Sequence, residues 1–353
     1  MMTGRTGRIA ARRPAMQGRL AALMMAGTVV LLLSFSLAVS VGAVFIPLRT
    51  VWGVLANAVW PGAVPVDWLP GHAAIVWDLR LPRAVLAMLV GAGLAITGAA
   101  LQAVTRNPLA DPHLLGISSG AAFGAILALL HTGLFLGLAT VPLLAFAGAM
   151  ATTLIVLGAA QRTRATSADR MVLAGVAVSF IVMALANLLI FLGDPRATHT
   201  VVFWMLGGLG LAQWAHLIWP LTVLVPLGLW LWLRAGDLNA MTVGDETAAS
   251  LGIPVTRFRL QVFVAGAMIT GTMVAFSGII GFVGLMVPHI ARLILGGDHA
   301  RVLPAGALIG ALLLLWADIA ARTLMAPEDM PIGIVTGLVG GLFFVRLLGR
   351  KAA

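Results

Sequence analysis

One recurrence constrains this chain more than any other feature: apolar stretches near the roughly 20 residues needed to cross a bilayer follow one another along almost its whole length. The short segments between them hold most of the charge. Of the 353 residues, 61% are hydrophobic and only 10% charged, where an ordinary soluble domain has about 25% charged. A water-facing surface cannot be built from that, so the solvent for the fold is lipid. The expected class is all-α: a polytopic membrane protein. Cysteine is absent, which excludes disulfides, thiolate metal sites and a cysteine nucleophile.

Ten spans fit the pattern, at about 20–45, 84–104, 114–131, 139–159, 171–192, 213–233, 258–276, 283–295, 304–322 and 331–348. With a cytoplasmic N-terminus, 17 of the 22 Lys and Arg residues fall on inside segments. The outside segments hold five: Arg49, Arg80, Arg83, Arg196 and Arg322. The positive-inside rule therefore predicts both termini cytoplasmic, as an even number of spans requires. The formal charge of +10 belongs to loops at a membrane surface and does not call for nucleic acid. The expected organisation is a basic cytoplasmic tail over 1–19, a ten-helix transmembrane domain over 20–348 and, within it, a cytoplasmic segment at 238–252. The first apolar run is too long for the core of a signal peptide and reads as a retained span.

Two outside segments are longer than turns: 46–83, with Trp52, Trp60, Trp68 and Trp77, and 193–212, with Trp204. Tryptophan favours the headgroup level, so short interfacial helices are expected there. The eighth span is short and carries Pro288. A broken helix survives at membrane depth where protein satisfies its freed backbone, which places this one inside the bundle. A faint repeat pairs Ala92-Gly93-Leu94-Ala95-Ile96-Thr97-Gly98 with Ala265-Gly266-Ala267-Met268-Ile269-Thr270-Gly271, in spans of opposite direction.

Nucleotide hydrolysis needs a phosphate-cradling loop with a lysine, and the chain's one lysine is Lys351. An ATPase would therefore have to be another polypeptide, and this chain is not expected to be an enzyme. Ion coupling would favour ionisable groups at mid-membrane. The candidates are Asp318 and His289; Asp318 stands four residues before Arg322 in the favourable order for an ion pair, which disfavours a proton relay. His289 reads as a structural residue bonded to a neighbouring carbonyl. Gly116-Ile117-Ser118-Ser119-Gly120 matches the serine-hydrolase pattern, but it opens a helix with no strand before it and reads as helix-start packing. The seven histidines have no helical zinc spacing, so no metal or cofactor is expected.

Four segments are too patterned to be plain connectors. Arg80-Leu81-Pro82-Arg83 stands just outside the second span, with the proline placed to start it. Arg106-Asn107-Pro108-Leu109-Ala110-Asp111-Pro112 is an inside turn whose two prolines forbid a continuous helix. Leu238 to Gly252, including Gly244, Asp245, Glu246, Ala248 and Leu251, is acidic and helix-capable, with Gly252 as its stop. Such a segment suits a docking surface. Gly281 to Arg292 leads through the broken span to an inside arginine.

In this order the segments resemble the FecCD-type permeases of importers for iron-siderophores, haem and vitamin B12, from about Val76 to Leu348. The resemblance implies a homodimer with a pathway along its axis, two cytoplasmic ATP-binding subunits below, a periplasmic substrate-binding protein above, and a place in the cytoplasmic membrane. It implies that Arg80, Arg83 and Arg322 meet acidic residues of the binding protein, as rim arginines opposite carboxylates would. Asn107 and Leu109 fall at the cytoplasmic gate. Leu238, Gly244, Asp245, Glu246, Ala248, Leu251 and Gly252 fall on the coupling helices that enter a groove of the ATPase. An iron chelate is the expected cargo, with vitamin B12 the alternative and ion-coupled transport the alternative class. The inner gate corresponds either to Thr166 and Ser167 or to Ala168 and Asp169. The chain departs from the family before its last span, where the acidic residue is displaced to Glu328 and Asp329.

Overall fold

The computed structural model describes the backbone of residues 3–162 and 168–350, and side chains from residue 20 onward apart from 114–115, 161–169, 348 and 350. The candidate inner-gate residues 166–169 lie outside these described side chains. Among the described residues every regular element is helical. In chain order they are α1 (Thr3–Ser40), α2 (Leu48–Val59), α3 (Pro70–Ala74), α4 (Leu81–Thr105), α5 (Ile117–Leu127), α6 (Thr140–Arg162), α7 (Ala168–Leu192) and α8 (Thr198–Met205). They continue with α9 (Trp214–Leu233), α10 (Ala235–Val243), α11 (Asp245–Ser250), α12 (Val255–Ser277), α13 (Val283–Leu295), α14 (His299–Thr323) and α15 (Ile332–Arg350).

Each expected span coincides with a helix. Seven stretches are long and apolar enough to cross a bilayer, and three shorter apolar helices cover Ile117–Thr132, Val283–Leu295 and Ile332–Leu347. Three boundaries differ appreciably from expectation, one of them the start of the ninth span at His299 instead of 304. The first span ends at Ser40, and the second begins well before Pro82, as a continuous helix from Pro70 to Thr105. A π-helical turn over Ile75–Arg80 joins its two parts. Proline lacks an N–H and crowds the preceding turn; the wider turn just before Pro82 lets the helix run on through it.

The bundle has a centre and a rim. In α4 and α12, 72% of the apolar window is buried, against 11% in α7. Peripheral α7 accordingly exposes Phe180, Ile181, Leu185 and Phe191. Central helices approach at glycine: a Cβ on Gly91 would sit 2.1 Å from the carbonyl oxygen of Gly310 in α14, and one on Gly98 would sit 2.0 Å from that of Gly284 in α13. Without a hydrophobic drive between helices in lipid, such close van der Waals contact holds them together. The repeated segments of α4 and α12 lie against each other and run antiparallel, Gly93 facing Met273, Thr97 facing Gly266, and Val104 reached by Arg259. Short α13, with Pro288 buried, is packed inside the bundle against α4 and α14 as expected.

Candidate functional site

Functional candidates gather at two ends of the bundle. At the first, Arg80, Arg83 and Arg322 come together around the C-terminus of α1. The last carbonyls of a helix have no partner inside it, and in a bilayer water cannot supply one. Here arginine does: Arg80 Nη1 donates to the carbonyls of Val39 at 2.8 Å and Ser40 at 2.7 Å, and Nη2 donates to Val44. Arg322 donates to Ala38 at 2.8 Å and Val41 at 3.0 Å. The chain passes so close that a Cβ on Gly42 would stand 2.7 Å from Arg80 Nη2.

The expected Asp318–Arg322 ion pair forms at 3.0 Å, one helical turn apart on α14. Asp318 is 1% exposed and also accepts from Arg83 Nε at 2.7 Å. Arg83 Nη1 reaches Asp329, ahead of α15, at 2.5 Å. The displaced acidic residue thus has a partner, and one ionic cluster ties α4, α14, the end of α1 and the entry to α15. All three arginines are largely buried and held by acceptors of the chain itself.

The second end is built from the turn after α4, the α10–α11 pair and the junction of α13 with α14. Asn107 Oδ1 accepts the Leu109 N–H at 2.9 Å, closing a tight turn that leaves Leu109 60% exposed at its tip. Asp111 caps the following short helix through the His113 N–H at 2.8 Å. Gln102 Nε2 holds the turn through Ala110 O at 3.3 Å and binds Gly284 O at 3.1 Å.

The segment 238–252 folds as two short helices broken at Gly244, whose φ of 152° and ψ of 158° only glycine adopts readily. Leu238 and Ala248 are fully buried anchors, whereas Leu251, 67% exposed, Glu246 and Gly252 face outward. Asp245 pairs with Arg259 Nη2 at 2.6 Å; Arg259, 2% exposed, also donates from Nε to Val104 O at 3.1 Å. The segment is therefore tied through Arg259 to α12 and to the end of α4. A second tether runs through Asn239, which donates to Asp298 at 2.8 Å and accepts the His299 N–H at 2.9 Å. Asp298 also caps α14 through Ala300 N–H at 3.1 Å and pairs with Arg301 at 3.0 Å. Burial pushes its pKa up, but the hydrogen bonds from Asn239, Ala300 and Arg301 outweigh this and hold it below the usual carboxylate value.

Sequence reasoning missed Gln102, Arg259 and Asp298, and gave Asn239 no role of its own within 238–252. Arg259 offered a signal: it lies only a few residues into an apolar span. The serine motif has an unexpected neighbour. His113 Nδ1 contacts Ser118 Oγ, while its Nε2 lies 2.9 Å from the Ile280 carbonyl. Asp111 stays 3.8 Å from Nε2 and spends its oxygen on the backbone. Among the described residues no carboxylate orients the imidazole for base catalysis, so the contact is a brace between the turn after α4, α5 and the approach to α13. His289 lies edge-on to Phe343, ring centroids 5.9 Å apart. Among the described residues no group of three or more His, Asp or Glu side chains converges on a possible metal position.

The sequence model of the FecCD transport family matches residues 30–350. An uncharacterized ABC transporter permease protein of Bacillus subtilis, YvrB, is 39% identical over 325 residues, 91% of each chain. The vitamin B12 import system permease protein BtuC of Salmonella arizonae is 40% identical over 311 residues, 86% of this chain and 92% of its own. A solved ABC transporter described as of metal-chelate type, in an inward-facing conformation, superposes with a TM-score of 0.80 and 28% identity, over 94% of this chain and 99% of its own. This chain belongs to the FecCD transport family: it is an ABC transporter permease, a multi-pass protein of the cytoplasmic membrane.

Proposed function

We infer that this chain is the permease subunit of a binding-protein-dependent importer, working as a homodimer with two separate ATP-binding subunits and a periplasmic binding protein. The observation that carries the reading is the family match across residues 30–350 in a chain whose one lysine, Lys351, leaves no phosphate-gripping loop. The cargo is a metal chelate. An iron-siderophore or haem is the first reading, in keeping with the metal-chelate transporter of like fold. Cobalamin is the second, favoured by 40% identity to a vitamin B12 permease.

Both termini are cytoplasmic in this reading. It is supported by 17 of 22 basic residues on one side and by the paths of α1 and α15, which both lead away from the Arg80 end. The Arg80 end then receives the binding protein, with Arg80, Arg83 and Arg322 exchanging internal acceptors for carboxylates of the partner. At the opposite end, Asn107 and Leu109 form the gate. The outward face of α10 and α11 enters the ATPase, and the Asp245–Arg259 pair carries its motion to α12 and α4.

The test is reconstitution in liposomes. Uptake requires all three components, and uptake by this chain alone overturns the reading. Titrating the partner binding protein with haem, ferric siderophores and cobalamin decides the cargo. The cysteine-free sequence makes topology directly measurable: single cysteines at Leu109 and Leu251 should resist an impermeant maleimide added to intact cells.

A further inference from the structure

At the Arg106 end a cavity of about 270 Å³ opens between the end of α4, α10 and the α13–α14 junction, lined by Gln102, Arg106, Pro108, Thr242, Arg292 and His299 among others. No carboxylate lines it. The nearby acids are engaged elsewhere, Asp245 by Arg259 and Asp298 by Arg301 and Asn239. Arg292, with five donors, meets Gln102 Oε1 at 2.5 Å as its one acceptor among the described residues, and the side chain of Arg106, an exposed residue whose backbone N–H donates to Ala103 O, has no hydrogen-bond or ion-pair partner among them. The more deeply buried arginines, Arg80, Arg83, Arg259 and Arg322, each hold a carboxylate or backbone carbonyls.

A second observation is independent of the cavity. Arg106 is the C-cap of α4 and adopts a left-handed conformation, φ 52° and ψ 27°. That position normally takes glycine, because any Cβ is strained there. The chain keeps an arginine where glycine would be less costly, and its side chain lines the cavity. Strain held at one residue points to a role for its side chain.

We propose that this cavity is an oxyanion site that takes a phosphate group between the guanidinium forks of Arg106 and Arg292. A planar fork offers two parallel N–H donors to a tetrahedral oxyanion, which a lysine cannot do. Occupancy would bridge the gate turn after α4 to α13, with Thr242 of α10 beside it. The phosphate comes either from solution or from the headgroup of an anionic lipid at the membrane surface. The site adjoins the turn and the α10 segment named in the proposed function but does not depend on the identity of the cargo.

The purified full chain tests it, with unfolding followed by tryptophan fluorescence. One arm compares inorganic phosphate with chloride at equal ionic strength in detergent; the other compares phosphatidylglycerol with phosphatidylcholine nanodiscs. Phosphate at a hundredfold excess over its half-saturating concentration should raise Tm by about 3 °C. Arg106→Gly and Arg292→Gln should abolish that shift. Arg106→Gly is the decisive variant, since it relieves the strain and should leave Tm in chloride unchanged or higher while removing the response. A shift confined to phosphatidylglycerol nanodiscs identifies the lipid headgroup as the source. A shift that both variants retain, or no shift in either arm, overturns the proposal.

Discussion

The two ends of this bundle use the same residue in opposite ways. At the Arg80 end, three arginines are closed in by Asp318, Asp329 and the last carbonyls of α1, and each guanidinium has its acceptors within the chain. At the Arg106 end, Arg106 and Arg292 face a cavity without a carboxylate. The first arrangement is a lock, since several elements must move together before a buried charge can be exposed. The second is a receptor whose charge awaits a ligand. Sequence counting treats all five as charges beside a membrane, and the difference lies entirely in what surrounds them.

Removing the centre of the lock should have the largest effect. Asp318→Ala leaves Arg83 and Arg322 without their shared buried carboxylate, and a broken buried ion pair costs about 3–5 kcal/mol. Thermal unfolding in detergent should show a large loss; a near-native Tm would mean that the cluster is not a lock. Next comes Arg259→Ala, which frees Asp245 and the Val104 carbonyl together, a loss of roughly 1.5–3 kcal/mol for charged hydrogen bonds. With the ATPase present, hydrolysis should continue while uptake falls; tightly coupled uptake would remove the mechanical role given to that pair.

Arg83→Glu should weaken stimulation of hydrolysis by the binding protein, on the order of tenfold, and should also lower Tm, because it sets a third carboxylate beside Asp318 and Asp329. The same assay on Arg106→Gly should show no change in stimulation, and equal losses in both would erase the contrast between the ends. The smallest effect is expected at Asp298. Asp298→Asn keeps a capping oxygen but loses the charge that binds Arg301, about 1 kcal/mol. Because the folded-state pKa of Asp298 is depressed, its stabilisation is present in full above the unfolded carboxylate pKa and is lost as pH falls through the lower folded value. Unfolding curves of the native chain and the variant should converge in acid and separate toward neutral pH.

Much of this was legible residue by residue. The ten apolar segments, the buried Pro288 helix, the i,i+4 pair of Asp318 and Arg322, and the short helices of 238–252 all follow from local periodicity and spacing. The start of the second span was misread, because Pro82 marks a first turn by local rules and the π turn before it has no sequence signature. The burial of Arg80, Arg83 and Arg322 was equally hidden. Apart from Asp318, which stands one helical turn before Arg322, their acceptors lie 36 to 284 positions away along the chain, on Val44, on Asp318 for Arg83, and at the end of α1.

By itself, the sequence determined that the chain lives in lipid, that its backbone closes on itself as helices, and that it carries no phosphate-gripping loop. These depend on composition and short-range pattern, which a bilayer reads directly through the cost of exposing polar groups. Only the tertiary structure decided which arginines are quenched and which stay available, and which helices form the centre. A charge is neutralised by whatever the fold brings within about 3 Å of it, and no spacing rule along one helix specifies a partner on another.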